Sequence, residues 1–136
     1  MDSDTQAKVT NLKSMHDTLE NMHEHVQMLE KQKSELEYVD SSLEQMKDLN
    51  SGAEILVQLA SGIFATAKLD KIESLRVNVG ADIVVEKSLN DTKLIIKDQI
   101  AQITDVHRRL TLQIAGLVEQ FEALRGELAN VQVSQG

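Results

Sequence analysis

Residues 54–87 decide the reading of the chain, because there a helical spacing of apolar residues gives way to alternation. The first half of this stretch runs Ile55-Leu56-Val57-Gln58-Leu59-Ala60-Ser61-Gly62-Ile63-Phe64. Ile55, Val57 and Leu59 alternate with Leu56, Gln58 and Ala60, which is strand spacing with both faces partly apolar. Ser61-Gly62 reads as a tight turn, and Ile63 to Ala67 as the returning strand. The second half runs Leu75-Arg76-Val77-Asn78-Val79-Gly80-Ala81-Asp82-Ile83-Val84-Val85-Glu86-Lys87. Leu75, Val77 and Val79 alternate with Ser74, Arg76 and Asn78, Gly80-Ala81-Asp82 turns the chain, and Ile83 to Glu86 returns. Two β-hairpins, four strands in all, are expected within residues 53–87. Asn50-Ser51-Gly52 stops whatever precedes them, with Gly52 suited to the left-handed conformation of a helix end.

Outward from the hairpins, both flanks switch to heptads. From about 5 to 49 the series is Leu12, Met15, Leu19, Met22, Val26, Leu29, Lys33, Leu36, Asp40, Leu43, apolar at eight of ten positions. From about 90 to 132 it is Ile96, Ile100, Ile103, His107, Leu110, Ile114, Leu117, Phe121, Leu124, Leu128, Val131, apolar at ten of eleven. Alternating steps of three and four over more than four heptads are a coiled-coil signature. Asn90, with Asp91 behind it, is the expected N-cap of the second helix. Lys33 and Asp40 interrupt the first seam; such residues either fix register or lay an aliphatic stem on the seam with the charge in water. His107 is the polar break of the second. The two segments are nearly equal, each roughly 65 Å long at 1.5 Å per residue, so they can fold back on each other. With Leu43 near Ile96, Leu12 falls near Leu128 and both ends of the chain meet at the far end of the coil. The expected fold is α+β, mainly α: one domain over 1–136, a long antiparallel coiled-coil hairpin with two central β-hairpins.

Composition agrees. Two Phe, one Tyr and no Trp among 136 residues cannot fill a thick interior, whereas a thin coil needs only aliphatic residues. With no proline, no helix is forced to break. Zero cysteine excludes disulfides and thiol chemistry and fits a reducing cytosol. The first residues, Met1-Asp2-Ser3-Asp4, are unlike a secretory signal, and no apolar run approaches the ~20 residues of a membrane span. The net charge of −8 opposes nucleic-acid binding; residues 1–50 hold most of it, with eleven acidic against five basic side chains. Four short strands cannot bury two faces alone, and their open edges invite pairing with another chain, so oligomerisation through the strands is expected.

Enzymatic chemistry has no foothold, and no catalytic residue is assigned. There is no glycine-rich phosphate loop, and no residue set converges on a pocket. His16, Glu20 and His23 share one helical stripe that suits a transition metal, but solvated histidines are the simpler reading. His23-Glu24-His25 lacks zinc-protease spacing, since imidazoles two residues apart on a helix point about 160° away from each other.

The order helix, two hairpins, helix, together with the motifs Ile55–Phe64 and Leu75–Lys87, resembles the α class of the prefoldin family; the β class has one hairpin. The specific motif covers about residues 54–92, the architecture nearly the whole chain. Family members often carry proline where Gln58 stands, Pro-Gly near Thr66-Ala67, and glycine where Asp82 stands. The resemblance implies a cytoplasmic, ATP-independent chaperone subunit without cofactors, in a hexamer of two α-class and four β-class subunits. Such particles bind unfolded client proteins at the coil tips and pass them to a group II chaperonin. Assembly then falls to the hairpin residues Ile55, Val57, Leu59, Ile63, Phe64, Leu75, Val77, Val79, Ile83 and Val85. Client binding falls to the distal tip, Leu12, Met15, Leu19 and Met22 facing Phe121, Leu124, Leu128 and Val131. A closed seam is useless to a client, so the tip is expected to fray, helped by Gly116 and Gly126, each costing about 1 kcal/mol of helix stability relative to Ala. A coiled-coil scaffold without clients, or an α-like chain that assembles with itself, stays open at this point.

Overall fold

The structure, a computed structural model, describes the backbone of residues 2–71 and 73–135 and their side chains as far as Asn130. Val131, the last of the expected tip residues, has its side chain outside that range. The elements run α1 (Ser3–Met46), β1 (Glu54–Ala60), β2 (Ile63–Lys68), β3 (Leu75–Asn78), β4 (Val84–Lys87) and α2 (Leu89–Gln135). Two compact units divide the chain: unit 1 is Met1–Lys33 with Gln102–Gly136, and unit 2 is Ser34–Ala101.

Unit 1 is the paired outer halves of α1 and α2. α1 starts on Asp2, whose carboxylate accepts from the Thr5 N–H at 2.7 Å, the arrangement of an N-cap. Hydrogen bonds from the Thr5 side chain and backbone hold that carboxyl below its ordinary range. The seam positions of this half of α1, from Leu12 to Lys33, are all half-buried or buried, as are those of α2 from Ile103 to Leu128. Leu29, Leu110 and Leu128 are the most covered. The helices run antiparallel: Lys8 lies 3.5 Å from Glu127, and Glu30 accepts from His107 Nε2 at 3.0 Å. Leu12 shares a groove with Phe121, about two turns of α2 from the Leu128 that equal spacing suggested. The pairing is set by the whole seam and its ion pairs, not by matching helix ends.

Unit 2 joins the inner halves of the helices to the hairpins. Leu36, Asp40 and Leu43 of α1 and Ile96 and Ile100 of α2 keep to the covered side. The α2 seam continues below Ile96 to Lys93 and Leu89, both buried. α1 ends three residues earlier than its periodicity suggests: Lys47, Asp48 and Leu49 donate to Glu44, Gln45 and Met46 at 3.1–3.4 Å, tightening the last turn into i→i+3 bonds. Gly52 then takes φ +86.

β1 and β2 pair antiparallel, with Ile55 opposite Ala67, Val57 opposite Ala65 and Gln58 opposite Phe64. Ala60, not Leu59, then faces Ile63, because a bulge falls between Gln58 and Ala60. Leu59 is the extra residue, so it does not extend the row of Ile55 and Val57 as strict alternation predicts; a bulge shifts the strand's parity by one. Ser61-Gly62 closes the loop with Gly62 at φ +77. In the second hairpin, Leu75, Arg76, Val77 and Asn78 face Lys87, Glu86, Val85 and Val84. The fourth strand begins at Val84, so Ile83 lies just outside it, and Val79 just outside the third. They still close the hairpin, Val79 N–H donating to Ile83 at 3.0 Å. Ala81 (φ 51) and Asp82 (φ 60) are both left-handed, and Ile83 N–H returns to Gly80 at 2.9 Å, which makes a type I′ turn. The two hairpins form separate two-stranded sheets.

α2 is capped two residues earlier than expected. Leu89 is already helical, and Ser88 Oγ accepts from the Asp91 N–H at 3.0 Å while Thr92 N–H bonds the Ser88 carbonyl at 2.9 Å. Ser88 therefore replaces Asn90 as the N-cap. Buried Leu89 explains the shift, since starting there adds one more seam residue to the coil.

Candidate functional site

Two surfaces carry the residues singled out from the sequence. The first is the pair of hairpins in unit 2. Cross-strand pairing puts Ile55, Val57 and Ala60 on one face of the first hairpin with Ala67, Ala65 and Ile63, and Leu56 and Gln58 on the other with Thr66 and Phe64. Ile55, Ala65 and Ala67 are half-buried, but Leu56 is 71% exposed, Leu59 68%, and Ile63 and Phe64 57% each. In the second hairpin Leu75, Val77 and Val85 are half-buried, whereas Val79, Ile83 and Val84 are exposed. Leu56 and Val84 were not singled out from the sequence; the apolar character of both strand faces was the available signal for Leu56. A two-stranded hairpin has no third layer with which to cover such side chains. Covering these half-exposed residues against a partner yields about 1–2 kcal/mol each, and every strand also offers an unpaired edge.

The second surface is the outer end of unit 1. Leu12, Met15, Leu19, Met22, Phe121 and Leu124 are all half-buried and Leu128 is buried, so the seam is closed here. A shallow groove lined by Leu12, Lys13, His16, Asp17 and Phe121 opens beside it. Gly116 and Gly126 both lie within α2 with open space where a Cβ would stand. Neither is needed for close packing, so each only lowers the helix's intrinsic stability.

The polar seam residues find specific partners. Lys93, 7% exposed, forms an ion pair with Glu44, which also lies 3.3 Å from Lys47. His107 meets Glu30 at 3.0 Å. Both acids come from α1 two heptads apart, as do the cation and imidazole they meet on α2, so the two contacts set the same register. Asp40 differs: its Oδ1 is buried with no hydrogen-bond partner among the described residues. As for the histidines weighed as metal ligands, His16 lies 3.6 Å from Glu20, and among the described residues no three His, Asp or Glu side chains gather as a metal site requires. Among the described residues no helix is long and apolar enough to cross a membrane.

Comparison with known proteins is consistent across sequence and structure. The prefoldin subunit family matches residues 7–134. Among curated relatives, prefoldin subunit alpha of Archaeoglobus fulgidus is 22% identical over 94% of this chain and 93% of its own length. That of Methanococcus vannielii is 27% identical over 75% of each. Among solved structures, a chain of the filamentous prefoldin of Methanocaldococcus jannaschii superposes with a TM-score of 0.75 at 23% identity, covering 85% of this chain and 96% of that one.

Proposed function

This chain belongs to the prefoldin family, as a chaperone subunit of its α class, and on that premise we propose that two copies join four β-class subunits through the hairpins. The resulting cytoplasmic particle holds unfolded proteins at the outer ends of the coils and passes them to a group II chaperonin. It uses no ATP, cofactor or catalytic step, and takes neither nucleic acid nor membrane as a partner. The observation that carries this reading is the contrast between surfaces. The coil seams are covered within the chain, while Leu56, Leu59, Ile63, Phe64, Val79 and Ile83 are left for another chain to cover.

Native mass spectrometry of the chain, alone and co-expressed with a β-class subunit from the same source, tests the assembly. A mass of two copies with four of the partner is expected. The open strand edges also suit pairing between identical chains, and the solved relative from Methanocaldococcus jannaschii is filamentous. Large assemblies of this chain alone, indifferent to the partner, would replace the hetero-hexamer by that second reading.

Client holding is tested separately. Deleting residues 1–20 and 122–136 is expected to abolish suppression of client aggregation while leaving assembly intact; undiminished suppression would sink the assignment to the coil ends. Gly116→Ala with Gly126→Ala gains about 1 kcal/mol of helix stability per site and is expected to weaken suppression, because a stiffer tip opens less often.

A further inference from the structure

Charge is segregated within unit 1. Residues 2–22 and 115–130, its outer end, hold seven acidic against three basic side chains; residues 23–33 and 102–114 hold three acidic against four basic. Several of the outer acids are already engaged. Asp4 and Glu127 share Lys8, Glu122 lies 3.4 Å from Arg125, and Glu20 3.6 Å from His16. Asp17 and Glu119 have no ion pair among the described residues. Asp17 lines the groove in which the seam residues Leu12 and Phe121 reach the surface, together with His16 and a single lysine, Lys13. An apolar floor beside an uncommitted carboxylate, within an acidic neighbourhood, is complementary to an apolar side chain with positive charge next to it in sequence. Like charge excludes acidic segments, and also the equally acidic end of a second copy of this chain.

We propose that this groove takes an apolar side chain from an unfolded segment that carries Lys or Arg close by, so the outer end of the coil prefers basic apolar segments to acidic ones. The inference deepens the client-holding reading and rests on it. Exposed ion pairs are individually weak, so the preference comes from a few of them together, roughly three- to tenfold in affinity at low salt, and salt screens it away.

The test uses the full chain and two fluorescent peptides with the same Leu and Phe residues, one with Lys and one with Glu at the intervening positions. Fluorescence anisotropy is expected to show the Lys peptide binding more tightly at low salt, with the gap closing at high salt. Asp17→Lys combined with Glu119→Lys, which leaves the seam untouched, is expected to erase or reverse the gap with unchanged helical circular dichroism. Equal binding of the two peptides overturns the charge preference, and a gap that survives both substitutions overturns its assignment to this groove. Binding of neither peptide, or self-association of the chain that the two substitutions alter, overturns the inference as well. None of these outcomes disturbs the client-holding reading, which fails only if the truncated chain still suppresses aggregation.

Discussion

The paired helices of unit 1 and the β1–β2 hairpin of unit 2 draw on the same aliphatic residue types, yet they leave them in opposite states. Along the helices, the seam from Leu12 to Lys33 and from Ile103 to Leu128 is covered, and each helix satisfies its own backbone. In the hairpin, Leu56, Leu59, Ile63 and Phe64 remain more than half exposed, and both strands have a free edge. The difference is one of geometry. A helix with a single apolar stripe needs one partner to become complete, and the chain supplies that partner itself. A two-stranded ribbon with apolar residues on both faces needs layers on two sides and strands on two edges. The coil is therefore self-sufficient where the hairpin is an offer to another chain.

The sharpest way to break this comparison is Leu56→Asp with Phe64→Asp. Loss of every assembled species in native mass spectra is expected, with the helical circular dichroism of the isolated chain unchanged; persistent assembly would show that this face of the hairpin is not used. Seam substitutions should do the reverse. Leu29→Ala or Leu110→Ala is expected to cost about 2–3 kcal/mol each, read as a lower melting temperature, without altering the stoichiometry of what assembles below it. Asp40→Leu probes the seam from the other direction. Its buried, unpartnered carboxylate oxygen costs more than it returns, so the substitution is expected to raise stability by about 1 kcal/mol. A loss instead would mean that Asp40 finds a partner in solution.

The smallest expected effect is electrostatic. Hydrogen bonds from Arg108 and then Arg109 hold the Asp105 carboxyl below its ordinary range. A carboxyl lowered on folding contributes stability above its unfolded pKa, and the contribution is lost as pH falls through the folded value. Melting temperatures of the unmodified chain and Asp105→Asn, followed against pH, should therefore separate slightly at neutral pH and converge in acid. Because the group is exposed, the separation is small and shrinks with salt.

Periodicity and turn residues were sufficient to read both helices, both hairpins, the left-handed Gly52 and the covered face of the coil from Leu12 to Leu43 and from Ile96 to Leu128. These are local or repetitive properties: an apolar seam residue recurs eight times in the first series and ten times in the second, and a glycine in a turn needs no distant neighbour to explain it. The candidate surfaces were legible in the same way, as runs of apolar residues. Which of those residues stay uncovered was not, because exposure depends on what packs opposite. Leu56 and Val84 emerge as exposed only in the folded hairpins.

Single-residue shifts required the tertiary structure. Leu59 is displaced from the row of Ile55 and Val57 by a bulge, which alternation cannot reveal because it is a departure from alternation. Ser88 displaces Asn90 as the cap because Leu89 joins the buried seam. Ala81, a residue with no left-handed preference, sits at φ 51 because the type I′ turn that closes the hairpin demands it. The partners of Lys93 and His107 belong to the same class: Glu44 and Glu30 stand outside the apolar series and become visible only once α1 and α2 lie against each other. What the amino-acid order determined is what each segment can become. Which residue meets which is a sum over the whole seam and ladder, and only the closed structure evaluates it.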